Sequence, residues 1–283
     1  MVGVRGRSLW YDQAPMPRMV MLLIAALLAA PCVLAQPAVP MSLFLEELTW
    51  TEVRDHAKAG KNVILVPIGG TEQNGPHMVL GKHNVRARFL AGKIAAALGN
   101  ALVAPVVSYV PEGSIDPPTA HMRFPGTITV PEDAFEKMLE SAARGFRLHG
   151  FRHVVFLGDH GGYQKSLKAV AERLNREWAR DRVRAHAVEE YYRASDAGFA
   201  EMLKSRGFKE DEIGTHAGLA DTSLALAVDP ALVRREKLGS PSMGAADGVY
   251  GKPDRSTAEL GKAGVDLIVE RSVKAIRDST ARR

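Results

Sequence analysis

Short apolar runs alternate along the chain with stretches in which apolar residues recur every three or four positions. "NVILVPI" (62–68) is apolar throughout, β-branched and closed by Gly69-Gly70, a pattern that predicts a strand buried on both faces. "ALVAPVVSYV" (101–110), "HVVFLG" (153–158) and "RVRAHAV" (182–188) predict three more strands. Residues 84–98, 131–150 and 163–180 carry the helical period between them. Gly99-Asn100 stops the first of these helices, while Pro131 with two acids opens the second and Gly150 ends it. Further helices are expected near 194–206 and 219–228, and from about Ser256 to Arg277. A long loop rich in Gly, Pro, Thr and His runs to about residue 130. Strands separated by helices call for a mostly parallel sheet covered on both sides. The expectation is an α/β fold: a single α/β/α domain over residues 42–280.

Composition changes this picture little. With 283 residues, 46% of them hydrophobic and 24% charged, the chain can bury a substantial core. Its net charge of +5 comes from scattered basic residues without an arginine-rich stripe, so no nucleic-acid partner is expected. The first 35 residues differ from the rest. Arg5, Arg7 and Arg18 precede "MVMLLIAALLAAPCVLA" (19–35), and Val33 and Ala35 suit a cleavage site. Residues 1–35 therefore read as a signal peptide, with Met16 or Met19 as alternative starts and an uncleaved anchor as the competing reading. Cleavage would leave a periplasmic or secreted protein with no membrane association. The single cysteine, Cys32, would leave with the leader, and no disulfide or thiol chemistry would remain.

The polar chemistry gathers just after the strands. Strand 62–68 leads into "GGTEQNGPHMVLGKHN", which brings Glu72, His77 and His83 within twelve positions. Strand 153–158 leads to Asp159 and His160, followed by two glycines. The long loop carries Glu112, Asp116 and His121, and "GTHAGLADTS" (214–223) carries His216 and Asp221. Carboxylates and imidazoles collected at the carboxyl edge of a sheet suit a zinc, manganese or iron site. Plainer roles compete with this reading. Asp159 could cap the helix near Tyr163 or orient a ligand histidine. His160 could be a turn residue, Glu72 could bind only loop amides, and His77 could be a loop residue.

Five ordered blocks then acquire a common meaning. "PIGGTEQNGPHMVLGKHN", "HMRFPGT" (121–127), "LGDHGG" (157–162), "HAGLADTS" (216–223) and "GVYGKPDRSTAELG" (248–261) resemble the creatininase (creatinine amidohydrolase) family. The resemblance covers nearly all of the chain after the leader. It implies a single α/β/α domain, a homo-oligomer that is usually a hexamer, and two divalent ions that activate water to cut or open a small amide. Position by position, Glu72 matches the first metal ligand and His160 a ligand histidine. Asp221 falls on a family glutamate, and His216 on a histidine of proton transfer. Other positions depart from the pattern. Asn74 stands where a ligand histidine is usual, His83 replaces the aspartate that bridges two metals, and Gly162 replaces a further glutamate. Asp159 takes the place of a glycine and Tyr163 that of an asparagine. A carboxylate can bridge two cations, whereas a neutral imidazole has one free lone pair.

The resulting expectation is a metal-dependent amidohydrolase acting on a small-molecule amide, with zinc, manganese or iron, one or two ions per chain. Glu72, His83, His160 and Asp221 are the expected ligands. His216 would protonate the departing nitrogen, Asp159 would fix a histidine tautomer, and His121 would hold the oxyanion. Asn74, Glu112 and Tyr163 are expected at the substrate. The alternative is a small-molecule-binding protein that keeps the fold without turnover.

Overall fold

The computed structural model describes residues 42–238 and 243–281, and the expected signal peptide lies outside them. Four parallel strands form one sheet in the order β2-β1-β3-β4: β1 Val63–Ile68, β2 Ala101–Val103, β3 His153–Gly158 and β4 Arg184–Ala187. All six residues of β1 are buried, which explains why its sequence is apolar without alternation.

The two sheet faces divide the core. Ile64, Val66 and Ile68 pack with Val154 and Phe156 against Phe135 and Leu139 of the helix Glu132–Leu148, and against Leu167 and Leu174 of Gln164–Glu177. Val63 and Leu65 point the other way, with Val155 and Leu157. They meet Leu90 and Ile94 of the helix Lys82–Leu98, Leu224 of Leu219–Val228, and Ile268 and Ile276 of Ala258–Ala281. Burying each such side chain contributes roughly 1.5–3 kcal/mol. The last two helices touch closely. A Cβ on Gly261 would lie 1.8 Å from the Ser223 carbonyl oxygen, so only glycine fits there.

Two differences from the expected elements have physical causes. The strand expected over 101–110 ends at Val103, because Pro105 has no N–H to donate; pairing resumes only at the isolated bridge between Ile68 and Val107. The segment near 194–206 is part of a longer helical run, Glu189–Arg193 and Phe199–Ser205 joined by a π-helical turn at Ala194–Gly198. A helix at Trp50–Lys58, absent from the expected set, is opened by a capping box between Thr49 and Glu52. Among the described residues no helix is long and apolar enough to cross a membrane.

The carboxyl ends of β1 and β3 are pinned together by Tyr163. Its hydroxyl donates to the Ile68 and Gly69 carbonyls at 2.8 and 2.6 Å, and it lies 3.0 Å from the His160 nitrogen and 3.1 Å from that of Asp159, whose N–H groups point at it. That pin sets the edge from which the polar loops emerge.

Candidate metal centre

Glu72 leaves β1 on the loop 69–81 and is fully buried. Gly70 (φ +150°) brings this loop against Glu112; a Cβ there would lie 2.6 Å from Glu112 Oε1. Asn74 braces the same loop, its Nδ2 donating to the Glu72 carbonyl at 2.9 Å and to the Val79 carbonyl at 3.2 Å. The Glu72 oxygens have different surroundings. Oε1 accepts from His83 Nε2 at 2.7 Å. Oε2 faces His121 Nε2 at 3.2 Å and His160 Nε2 at 3.4 Å. Glu112 Oε2 lies 3.9 Å from His160 Nδ1. One ligand atom from each of Glu72, Glu112, His121 and His160 falls within 4.8 Å of all the others. Glu72 Oε2 and both Glu112 oxygens are buried without a hydrogen-bond donor. Two oxygens and two imidazole nitrogens around three bare carboxylate oxygens are a donor set that fits one divalent ion.

Behind this cluster runs a line of buried charges. His83 Nδ1 lies 2.6 Å from Asp159 Oδ2, which also accepts from Arg86 Nε at 2.8 Å. Asp159 Oδ1 accepts from the Tyr191 hydroxyl at 2.7 Å. Arg86 Nη1 and Lys82 Nζ each sit 3.0 Å from Asp221 Oδ1. Lys82 and His83 open one helix and Arg86 follows one turn on; near a helix start the backbone dipole disfavours cations. Carboxylates from β3 and from the helix Leu219–Val228 offset that disadvantage.

The titration of these groups follows their neighbours. Burial alone would raise the Glu72 carboxyl, but His83 and His160 hold it well below the ordinary range. Arg86 and His83 likewise overcome burial at Asp159, and Lys82 and Arg86 do so at Asp221. Glu112 goes the other way. Burial and the charge of Glu72 push its carboxyl up, so a proton sits where a cation could. Burial pushes the His160 and His216 imidazoles down to about 4, and that of His121 down as well, leaving neutral rings with lone pairs.

His216 Nε2 lies 3.1 Å from the Gln73 carbonyl, and its Nδ1 is 4.0 Å from Glu72 Oε1. The Gln73 amide nitrogen is 3.1 Å from His121 Nδ1. The residues beside these two histidines, Ala120 (φ 48°) and Ala217 (φ 54°), are the non-glycine residues with positive φ among those described. The Ala217 N–H donates to Asp221 Oδ2 at 3.0 Å, which holds the strained turn.

The structure thus gathers Glu72 and His160, two of the expected ligands, with Glu112 and His121, which sequence reasoning had placed at the substrate and the oxyanion. His83 adjoins the cluster with both ring nitrogens engaged, and Asp221 is held by Lys82, Arg86 and the Ala217 amide. Asn74 and Tyr163 bind backbone groups. Lys82, Arg86, Gln73 and Tyr191 were not foreseen. The readable signal was a lysine opening a helix, with an arginine one turn on and no acid in the first turn, where acids are the norm.

The chain is similar to known proteins over most of its length. A family model described as creatinine amidohydrolase matches residues 46–276. The chain is 25% identical to creatinine amidohydrolase of Pseudomonas putida, over 84% of this chain and 97% of that protein. It is 23% identical to 3-dehydro-scyllo-inosose hydrolase of Thermotoga maritima, over 84% of each. A solved mutant creatininase of the Zn–Zn type superposes with a TM-score of 0.65 at 23% identity, covering 84% of this chain and 98% of that one. With a match that spans most of its length, the chain belongs to the creatininase family of hydrolases.

Proposed function

We propose that the protein is a metal-dependent amidohydrolase that cuts a small amide C–N bond, with a divalent ion held by Glu72, Glu112, His121 and His160. The carrying observation is the convergence of these four ligand atoms around carboxylate oxygens that lack any donor. Buried oxygens left bare cost free energy, and a cation offsets that cost. A zinc, manganese or iron ion bound there supplies Lewis acidity toward a water and an amide carbonyl. His83 engages Glu72 Oε1, so Oε2 is the oxygen that would hold the ion. Asp159 and Arg86 in turn fix the His83 ring. His216 Nε2 faces both the main-chain carbonyl and the side-chain amide nitrogen of Gln73 at 3.1 Å; in the tautomer that donates to the carbonyl, Nδ1 carries the lone pair. That nitrogen takes a proton from the attacking water and returns it to the departing nitrogen. Burial keeps the ring neutral at the start, as a base requires. The basic and apolar leader supports export to the periplasm or beyond, and family membership supports a homo-oligomer, with a hexamer as the form the resemblance implies.

The test is the metal content of the purified chain after supplementation with zinc, manganese or iron. Glu72→Ala and His160→Ala are each expected to reduce it to background. A wild type that holds no more metal than these variants ends the reading. Full metal occupancy with tight binding of an amide that is never turned over would point to a non-catalytic binding protein.

A further inference from the structure

We infer that Lys82 takes the place of a second metal ion, so that each chain holds one divalent ion where the family resemblance implies two. The inference rests on the hydrolase reading above. Six buried groups succeed one another, carboxylates alternating with nitrogen groups: Glu72, His83, Asp159, Arg86, Asp221 and Lys82. Their successive separations are 2.7, 2.6, 2.8, 3.0 and 3.0 Å. Two of these nitrogen groups, Arg86 and Lys82, are fixed cations, and they stand against the carboxylates of Asp159 and Asp221.

Beside the four-ligand cluster the carboxylate oxygens are already engaged, and the buried ligand atoms left without a partner, Asn74 Oδ1 and His77 Nδ1, are neutral. Asp221 spends Oδ1 on Lys82 and Arg86, and Oδ2 on the Ala217 N–H. Both ring nitrogens of His83 are engaged by protein groups. Asn74 turns its amide nitrogen to two backbone carbonyls. A second divalent ion would also stand against two fixed cations in a water-poor interior, where like charges repel strongly. A fully buried lysine needs a compensating role, because burying a charge is costly unless it is paired. Here the ammonium does what a cation at that place would do. It anchors Asp221, which anchors Ala217 and the turn that aims His216. Lys82 is in this sense a positioning residue.

Zinc stoichiometry decides the matter. The full chain is saturated with zinc, freed of excess by gel filtration, and measured by elemental analysis and native mass spectrometry. Wild type is expected to hold about one zinc per chain. Lys82→Thr combined with His83→Asp removes a fixed cation and an imidazole, adds a carboxylate, and is expected to hold about two. Two ions in wild type would overturn the inference while leaving the hydrolase reading intact. One ion in both proteins would also overturn it, since Lys82 would then exclude nothing. No ion in wild type would sink the hydrolase reading first. If the double variant does not fold, anomalous scattering from zinc-soaked wild type still decides. A single peak among Glu72, Glu112, His121 and His160 supports the inference, and a second peak beside Asp221 refutes it.

Discussion

At the carboxyl ends of β1 and β3, His83, His121, His160 and His216 sit among carboxylates. At the amino end of β3 and within β4, His153 and His186 sit among arginines. The lower pair is joined through Nδ1 and Nε2 at 3.1 Å. Burial pushes His186 down to about 4, with His153 and Arg184 adding to the effect. Burial and Arg152 lower His153 as well. Nearby, Arg184 donates to the carbonyls of Trp178, Asp181 and Val183. Neutral imidazoles therefore stand in both places, His121, His160 and His216 above and His153 and His186 below, but only the upper set lies among bare carboxylate oxygens. The comparison teaches that histidine content does not distinguish a metal centre from a buried polar contact; the acids do.

The largest expected effect tests the upper end. His216→Asn should lower kcat by roughly 10²–10⁴-fold while the bound metal remains. Steady-state kinetics alongside metal analysis checks this, and a loss below tenfold would remove His216 from the proton path. Next comes the buried line of charges. Asp159→Ala leaves Arg86 and His83 without their shared carboxylate and should cost about 3–5 kcal/mol of stability in urea unfolding. A cost under 1 kcal/mol would mean that the line is as loosely coupled as a surface ion pair.

The smallest effect belongs to the lower end. The folded His186 holds its proton more weakly than the unfolded chain, so its contribution to stability is present above about pH 6.5. It is lost as pH falls toward about 4, at up to about 1.4 kcal/mol per unit. His186→Gln should flatten the acid side of the stability curve by that amount. An unchanged slope would show that the lower pair titrates like solvated histidine.

Some of this was legible in the chain. Val63–Ile68 and His153–Gly158 are apolar without a break because both of their faces are covered, and that signal is local. Glu72 and His160 follow those strands within a few residues, so their convergence came from the strand ends. Glu112 and His121 joined the centre by a route no periodicity encodes. They ride on the long loop before Pro131, whose path is set by contacts such as Glu112 N to Thr129 Oγ1 at 2.9 Å. Lys82 and Arg86 were hidden for another reason. A helical pattern marks where a helix begins, but not which distant carboxylate will meet its first turn. The helix at Trp50–Lys58 was readable in principle from Thr49 and Glu52, a capping pair three residues apart.

The two alanines in left-handed backbone carry a consequence for how this protein can change. Glycine at 120 or 217 would relax the main chain, a trade worth about 1 kcal/mol or more in folding. The same relaxation would let the neighbouring imidazole swing. Selection for a hardier scaffold and selection for a faster catalyst thus pull in opposite directions at these two places. An alanine kept under strain is the mark of a site that favoured aim over comfort.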